Sequence, residues 1–194
     1  MKKLILLLLT IEGLCAQKTN SETVTAEASY IIPLGDLKNK FDYAHSYSFW
    51  VNVVLEHGYS AGVGIAGIFF QNPRPIDYTL SGVTTTINSN KFGLDFGIRV
   101  SKKILFFQPK NYLEADCTVG LHYLDYDFPK EKEDTKKKDT FFPNTTLLFA
   151  PEIKYIHKNV GLKVQYRITP FNFIDGMEAG FGWSSVAIGL VYKQ

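Results

Sequence analysis

Apolar and polar residues alternate one for one along most of the chain after Gln17, and no stretch keeps a helical repeat. Period two is the mark of a strand whose two faces meet different surroundings. About eight such stretches can be read. The first, near 24–32, sets Val24, Ala26, Ala28, Tyr30 and Ile32 against Thr25, Glu27, Ser29 and Ile31. The second, near 45–56, sets Tyr47, Phe49, Val51 and Val53 against Ser46, Ser48, Trp50 and Asn52. The third has Tyr59, Ala61, Val63 and Ile65 opposite Ser60, Gly62, Gly64 and Ala66, and the fourth has Phe92, Leu94, Phe96, Ile98 and Val100 opposite Gly93, Asp95, Gly97 and Arg99. The fifth, near 113–123, sets Cys117, Val119 and Leu121 against Glu114, Asp116, Thr118, Gly120 and His122. The sixth, near 145–157, sets Leu147, Phe149, Ile153 and Tyr155 against Ala150, Glu152 and Lys154. The seventh, near 160–169, places Leu162, Val164 and Tyr166 opposite Lys163, Gln165 and Arg167. The last, near 180–193, runs through Val186, Ile188, Leu190 and Tyr192, with Phe181 and Trp183 out of phase, which predicts a bulge near Ser184.

Connection lengths alternate as well. Long segments, around 33–44, 71–90, 127–144 and 170–180, follow the odd-numbered strands, whereas tight returns fall at His57-Gly58 and at His157-Lys158-Asn159. Long loops on one rim and short turns on the other predict an eight-stranded up-and-down antiparallel β-barrel of the outer-membrane type, with the short turns periplasmic. VSKKILFFQPKN, residues 100–111, is too long and too apolar for such a turn, which leaves an interfacial flap or extended strand ends.

Periodicity alone does not say which face is inside. A soluble barrel would bury Leu162, Val164 and Tyr166, and a membrane barrel would bury Lys163 and Arg167. Two observations favour the second. The polar faces hold Gly62, Gly64, Ala66, Gly93, Gly97, Gly120, Gly161, Ala187 and Gly189, small residues that a narrow lumen needs and a wet surface does not. Tyr30, Tyr47, Tyr59, Tyr123, Tyr155, Tyr166 and Tyr192 lie on the apolar faces, several near strand ends where aromatic girdles meet headgroups. The lumen would then hold Glu27, Asp95, Glu114, Asp116 and Glu152 together with Arg99, Lys154, Lys163 and Arg167. Buried charge must be paired. Antiparallel order predicts Arg99 beside Glu114 or Asp116, Lys154 beside one of those acids, and Glu152 beside Lys163, so that the barrel is plugged. A small gated pore or proton path is the functional alternative.

The N-terminus adds a location. Lys2 and Lys3, an apolar run from Leu4 to Ile11 and the small Ala16 predict a signal peptide over 1–16 and a barrel domain over 17–194. Cys15 offers a lipoprotein reading, against which Leu14 stands where lipidation prefers a small residue. Loss of Lys2, Lys3 and Glu12 from the 21 basic and 19 acidic residues would leave 19 against 18, a balance that does not suggest a nucleic-acid partner. Cys117 would be the one remaining cysteine, which excludes an internal disulfide.

With strands, loops and leader in view, the chain resembles the small OmpA/OmpX-like outer-membrane barrels, particularly the porin-family proteins common in Bacteroidetes. ASYIIPLGDLKNKF, residues 28–41, is similar to their first strand and loop, and Gly189-Leu-Val-Tyr192-Lys-Gln194 is similar to their barrel-assembly signal, with Gln194 in place of the final aromatic. The resemblance implies outer-membrane lipid, lipopolysaccharide and the barrel-assembly machinery as partners, with a surface or envelope protein as a further one. It carries over no catalytic residue.

Candidate chemistry is sparse. A lipid deacylase would want His and Ser two apart on the lipid face, but His45 has Tyr47 at that spacing, His57 falls in a tight turn and His122 points inward. The histidines and Cys117 are too scattered for a metal site, and the glycines sit in strands, so no cofactor is expected. PKEKEDTKKKD carries Lys130, Lys132, Lys136, Lys137 and Lys138 among acids, which is a solvated loop able to meet lipopolysaccharide phosphates or a host surface. A structural or surface-interaction role without catalysis follows. Its rivals are a soluble periplasmic lipocalin-like barrel binding an apolar ligand, a lipid A-modifying enzyme, and a subunit of a secretion or motility complex.

Overall fold

The computed structural model of the protein describes residues 22–80, 83–108, 110–126, 145–170 and 184–194. Among the described residues there are ten strands: β1 Glu22–Pro33, β2 Tyr43–Val54, β3 Tyr59–Gln71, β4 Ile76–Leu80, β5 Val83–Ile87, β6 Ser89–Gln108, β7 Asn111–Tyr126, β8 Thr145–His157, β9 Val160–Ile168 and β10 Ser184–Lys193. Eight of them close a barrel in the order β1-β10-β9-β8-β7-β6-β3-β2, and all its neighbours run antiparallel. The seam is made by β1 and β10, paired from Thr25↔Lys193 to Pro33↔Ser185. Reciprocal bonds between the backbones of Val24 and Gln194 extend it to the C-terminus.

Register fixes the geometry of closure. Cross-strand partners followed once around the barrel, from Val54 through Ser60, Ser101, Asp116, Glu152, Gln165, Ala187 and Ile31, return to β2 at Ala44, a stagger of ten residues. A staggered barrel has tilted strands, typically by 35–45°. An even stagger also keeps the two-residue alternation intact, so each strand presents one parity inward all the way around.

One expectation from the sequence needs revision, and one open alternative is resolved. Residues 71–90 are not one open loop: β4 and β5 form a separate two-stranded hairpin on the long-loop rim. Their backbone groups pair with each other, while Ile76 and Ile87 dip into an apolar cluster with Leu37, Phe41, Ile68 and Phe70 that caps this end of the lumen. For residues 100–111 the alternative of extended strand ends holds: β6 runs on to Gln108 and β7 starts at Asn111. β6 and β7 continue past the rim, with register shifts between Lys103 and Leu105 and between Phe106 and Gln108. Each shift sets an extra residue, Ile104 or Phe107, out of the alternation. The bulge expected near Ser184 falls at Phe181 and Trp183, outside the described residues.

The tight turns are built from local backbone. His57 and Gly58 take left-handed φ values of 59° and 78°, and the Leu55 N–H donates to the Tyr59 carbonyl at 2.8 Å to close the turn. Left-handed φ is what hairpin turns demand of their central residues, and Gly58 adopts it without a Cβ penalty. Lys158 does the same at 58° between β8 and β9.

Candidate functional site in the barrel lumen

The sheet settles the question of faces. Leu162 is 59% exposed and Lys163 is 4% exposed, and the same contrast repeats on every barrel strand. Glu27, Asp95, Arg99, Glu114, Asp116, Glu152, Lys154, Lys163 and Arg167 all point inward and are buried. Lys130, Lys132, Lys136, Lys137 and Lys138 lie outside the described residues.

The inward charges form three tiers. In the middle, Glu27 is the hub. Its Oε1 accepts from Arg99 Nη1 at 2.6 Å and lies 2.9 Å from Lys154 Nζ, and its Oε2 accepts from Lys163 Nζ at 2.6 Å, Ser48 Oγ at 3.0 Å and Arg99 Nη2 at 3.1 Å. Asp116 and Glu152 are register partners on β7 and β8, two carboxylates side by side, and Lys154 Nζ holds both, at 2.5 and 2.9 Å. Lys163 reaches Glu152 at 2.9 Å, and Arg99 Nε lies 4.0 Å from Asp116. Three acids thus face three bases. Below, Glu114 accepts from Lys193 at 2.7 and 2.9 Å; above, Asp95 meets His122 Nδ1 at 2.5 Å and Arg167 Nη2 at 2.8 Å. The apolar cluster around Phe41 and Phe70 closes the stack on the loop side, and Tyr112, Ile156 and Val191 pack together toward the short-turn side.

Between open alternatives for the cations, the structure chooses Asp116 over Glu114. Lys154 is the cross-strand partner of Glu114, yet its chain extends diagonally to the middle tier. Coulombic attraction from three clustered carboxylates outweighs a single nearer one, and Glu114 is satisfied from β10 instead. Sequence reasoning missed Lys193 in this role, although Lys193 continues the inward parity of Ser185, Ala187, Gly189 and Val191. His122 had been placed inward but not as a partner of Asp95.

Trp50 completes the filling. Its ring lies under the Arg99 guanidinium, with Cζ 3.8 Å from the ring centroid, and its Nε1 donates to Ser48 Oγ at 3.1 Å. Room for it comes from Gly64, its register partner on β3: a Cβ there would overlap the indole. Gly64 pairs in turn with Gly97, and Gly97 with Gly120, so a row of glycines crosses three strands beside one large ring.

The other histidines do not build a reactive group. His45 stacks edge-on with Tyr30 and Tyr43 on the outer face, with centroids 5.7 and 5.4 Å apart, and His57 is exposed in its turn. Among the described residues, no group of three His, Cys, Asp or Glu side chains is placed to hold a metal ion.

No protein-family model matches the chain, and no curated protein matches it. Solved structures do. The outer-membrane protein Ail of Yersinia pestis in a phospholipid bilayer nanodisc aligns with a TM-score of 0.50 at 9% identity, over 90% of this chain and all of that one. The N-terminal β-barrel domain of Pseudomonas aeruginosa OprF aligns at 0.44 and 13% identity over 91% of this chain and all of that one. A de novo designed transmembrane β-barrel gives 0.43 and 17% over 92% and 98%. At these identities the likeness is one of fold: the chain has the closed eight-stranded architecture of outer-membrane barrels.

Proposed function

We propose that the protein is a small integral barrel of a Gram-negative outer membrane, of the porin-family kind its first strand resembles, with a structural or surface-interaction role and neither catalysis nor conduction. One observation carries this reading: five carboxylates and five Lys or Arg side chains pair with each other inside a closed barrel whose outer face is apolar. A soluble protein would not spend its interior on ion pairs and its surface on Val63, Ile98, Val119 and Leu162, because apolar area exposed to water costs roughly 25 cal/mol per Å². A lipocalin-like barrel would need those side chains around a cavity, and here they face out. A conducting pore would need hydrated polar groups from rim to rim, and here the ion pairs are capped by apolar clusters at both ends.

In this reading the working surface lies on the long-loop side, where the lysines of residues 130–138 meet lipopolysaccharide phosphates. The test is fractionation of the expressed protein, heated and unheated gels in detergent, and single-channel recording in planar bilayers. Outer-membrane recovery, a heat-dependent mobility shift and no discrete conductance support it. Recovery in the soluble fraction, or steady unitary currents, overturns it.

A further inference from the structure

The overhanging end of the β6–β7 hairpin carries the largest apolar surface that the closed barrel does not explain. β3 begins at Tyr59, opposite Lys102, so β6 residues beyond Lys103 have β7 on one side and no strand on the other. Ile104, Leu105, Phe106 and Phe107 are all exposed, between 45% and 64%. In water this is a costly arrangement, since four large apolar side chains at an open strand edge invite aggregation.

The side chains are not randomly disposed. Leu105 pairs with Leu113 on the outer face, in line with Val100 and Ile153 of the apolar belt. The bulge at Phe107 turns its ring outward over β7 to meet Tyr155 of β8 edge-on, with centroids 6.2 Å apart. Tyr155, Tyr59 and Tyr192 are outward tyrosines near the short-turn ends of their strands, the level at which aromatic rings meet headgroups. The overhang is therefore continuous with the outer belt at its lower girdle. Its polar complement is basic: Lys102 and Lys110 are exposed, Lys103 is half-buried, and Lys102 and Lys103 lie over the rings of Tyr59 and Tyr112 at 4.4 and 4.6 Å.

We infer that this hairpin end is an interfacial anchor for anionic phospholipid: Leu105 and Phe107 enter the boundary between acyl chains and headgroups of the short-turn leaflet, while Lys102 and Lys110 hold the phosphates and Lys103, on the inward face opposite Glu114, stays over Tyr112. The inference rests on the outer-membrane reading above. The bulge at Ile104 makes it possible, because unbroken alternation from Val100 and Lys102 would have turned Leu105 and Phe107 to the inward face. Aromatic rings with flanking cations are the side-chain set that binds at a lipid interface, each basic residue adding about 1 kcal/mol against an anionic surface.

Spin labels test it in the intact chain. With Cys15 and Cys117 replaced by serine, a label is placed at Phe107→Cys, and separately at Val164→Cys in the belt, in vesicles of phosphatidylcholine with and without phosphatidylglycerol. Collision with oxygen is compared with collision with a water-soluble nickel chelate. The expected result is preference for oxygen at both positions, increasing at 107 when phosphatidylglycerol is added, with that increase lost in Lys102→Gln/Lys110→Gln. Oxygen preference at 164 with nickel preference at 107 overturns the anchor and leaves the barrel reading standing. Nickel preference at 164 overturns the membrane reading itself. Protection of 107 from both reagents assigns the hairpin to a protein contact and also overturns the anchor, as does indifference to phosphatidylglycerol.

Discussion

The two faces of β9 differ by one residue step and obey opposite rules. Leu162, Val164 and Tyr166 are exposed on the outer face, and in the proposed membrane setting fluid chains surround them, so any apolar side chain of similar size would serve. Lys163 and Arg167 each have named partners, and Lys163 touches two carboxylates. Specificity is concentrated inside, and the outside carries only an average property. The core of a water-soluble barrel shares that division differently, with apolar packing supplying the precision.

The contrast predicts a ranking of damage. Glu27→Ala should be worst: it strands Arg99, Lys154 and Lys163 against two remaining acids in a dry interior, and breaking a buried ion pair from one side costs about 3–5 kcal/mol. Urea unfolding in lipid vesicles, followed by the loss of the unheated fast-migrating band, measures this. Val164→Arg comes next, at about 2–4 kcal/mol for a cation near the bilayer midplane, with the folded fraction in vesicles as the readout. Lys163→Met should be milder than either, because Arg99 and Lys154 remain on the same carboxylates; equal damage from Lys163→Met and Val164→Arg would erase the distinction between the faces. Gly64→Ala is the smallest, roughly 1–3 kcal/mol from overpacking against Trp50. It should be rescued only in part by Trp50→Leu, which removes the ring but leaves the Phe49 carbonyl 2.6 Å from the added Cβ, and two fully additive losses in the double variant would show that the ring and the glycine do not share one space.

How much of this could be read from the sequence follows the same physical line. Barrel strands announce themselves because their two faces meet unlike media, and parity alone placed all nine lumen charges on one side. β4 and β5 gave no such signal: they stand above the barrel with Thr79, Thr84, Thr85 and Thr86 exposed, and their one-sided contact is confined to Ile76 and Ile87. The end of β6 was obscured for the opposite reason. The bulge at Ile104 shifts the parity so that Leu105 follows Lys102 on the outer face, and the alternation that starts at Phe92 is lost in an unbroken apolar run. Partner choice inside the lumen was only half legible, since register fixes which backbones adjoin, while the long reach of Lys154 and Lys193 decides which carboxylate each one finds.

Glu27 is the one acid β1 sends into the middle tier, and its partners Arg99, Lys154 and Lys163 stand on β6, β8 and β9. Until the first strand docks beside the last, β6 to β9 carry those three cations against Asp116 and Glu152, a surplus of one positive charge within the middle tier. The missing carboxylate arrives only when the ring shuts, and a slip of one residue along β1 would deliver it to the lipid instead. The middle tier is therefore complete in one alignment of the two chain ends and in deficit in any half-closed or misaligned sheet.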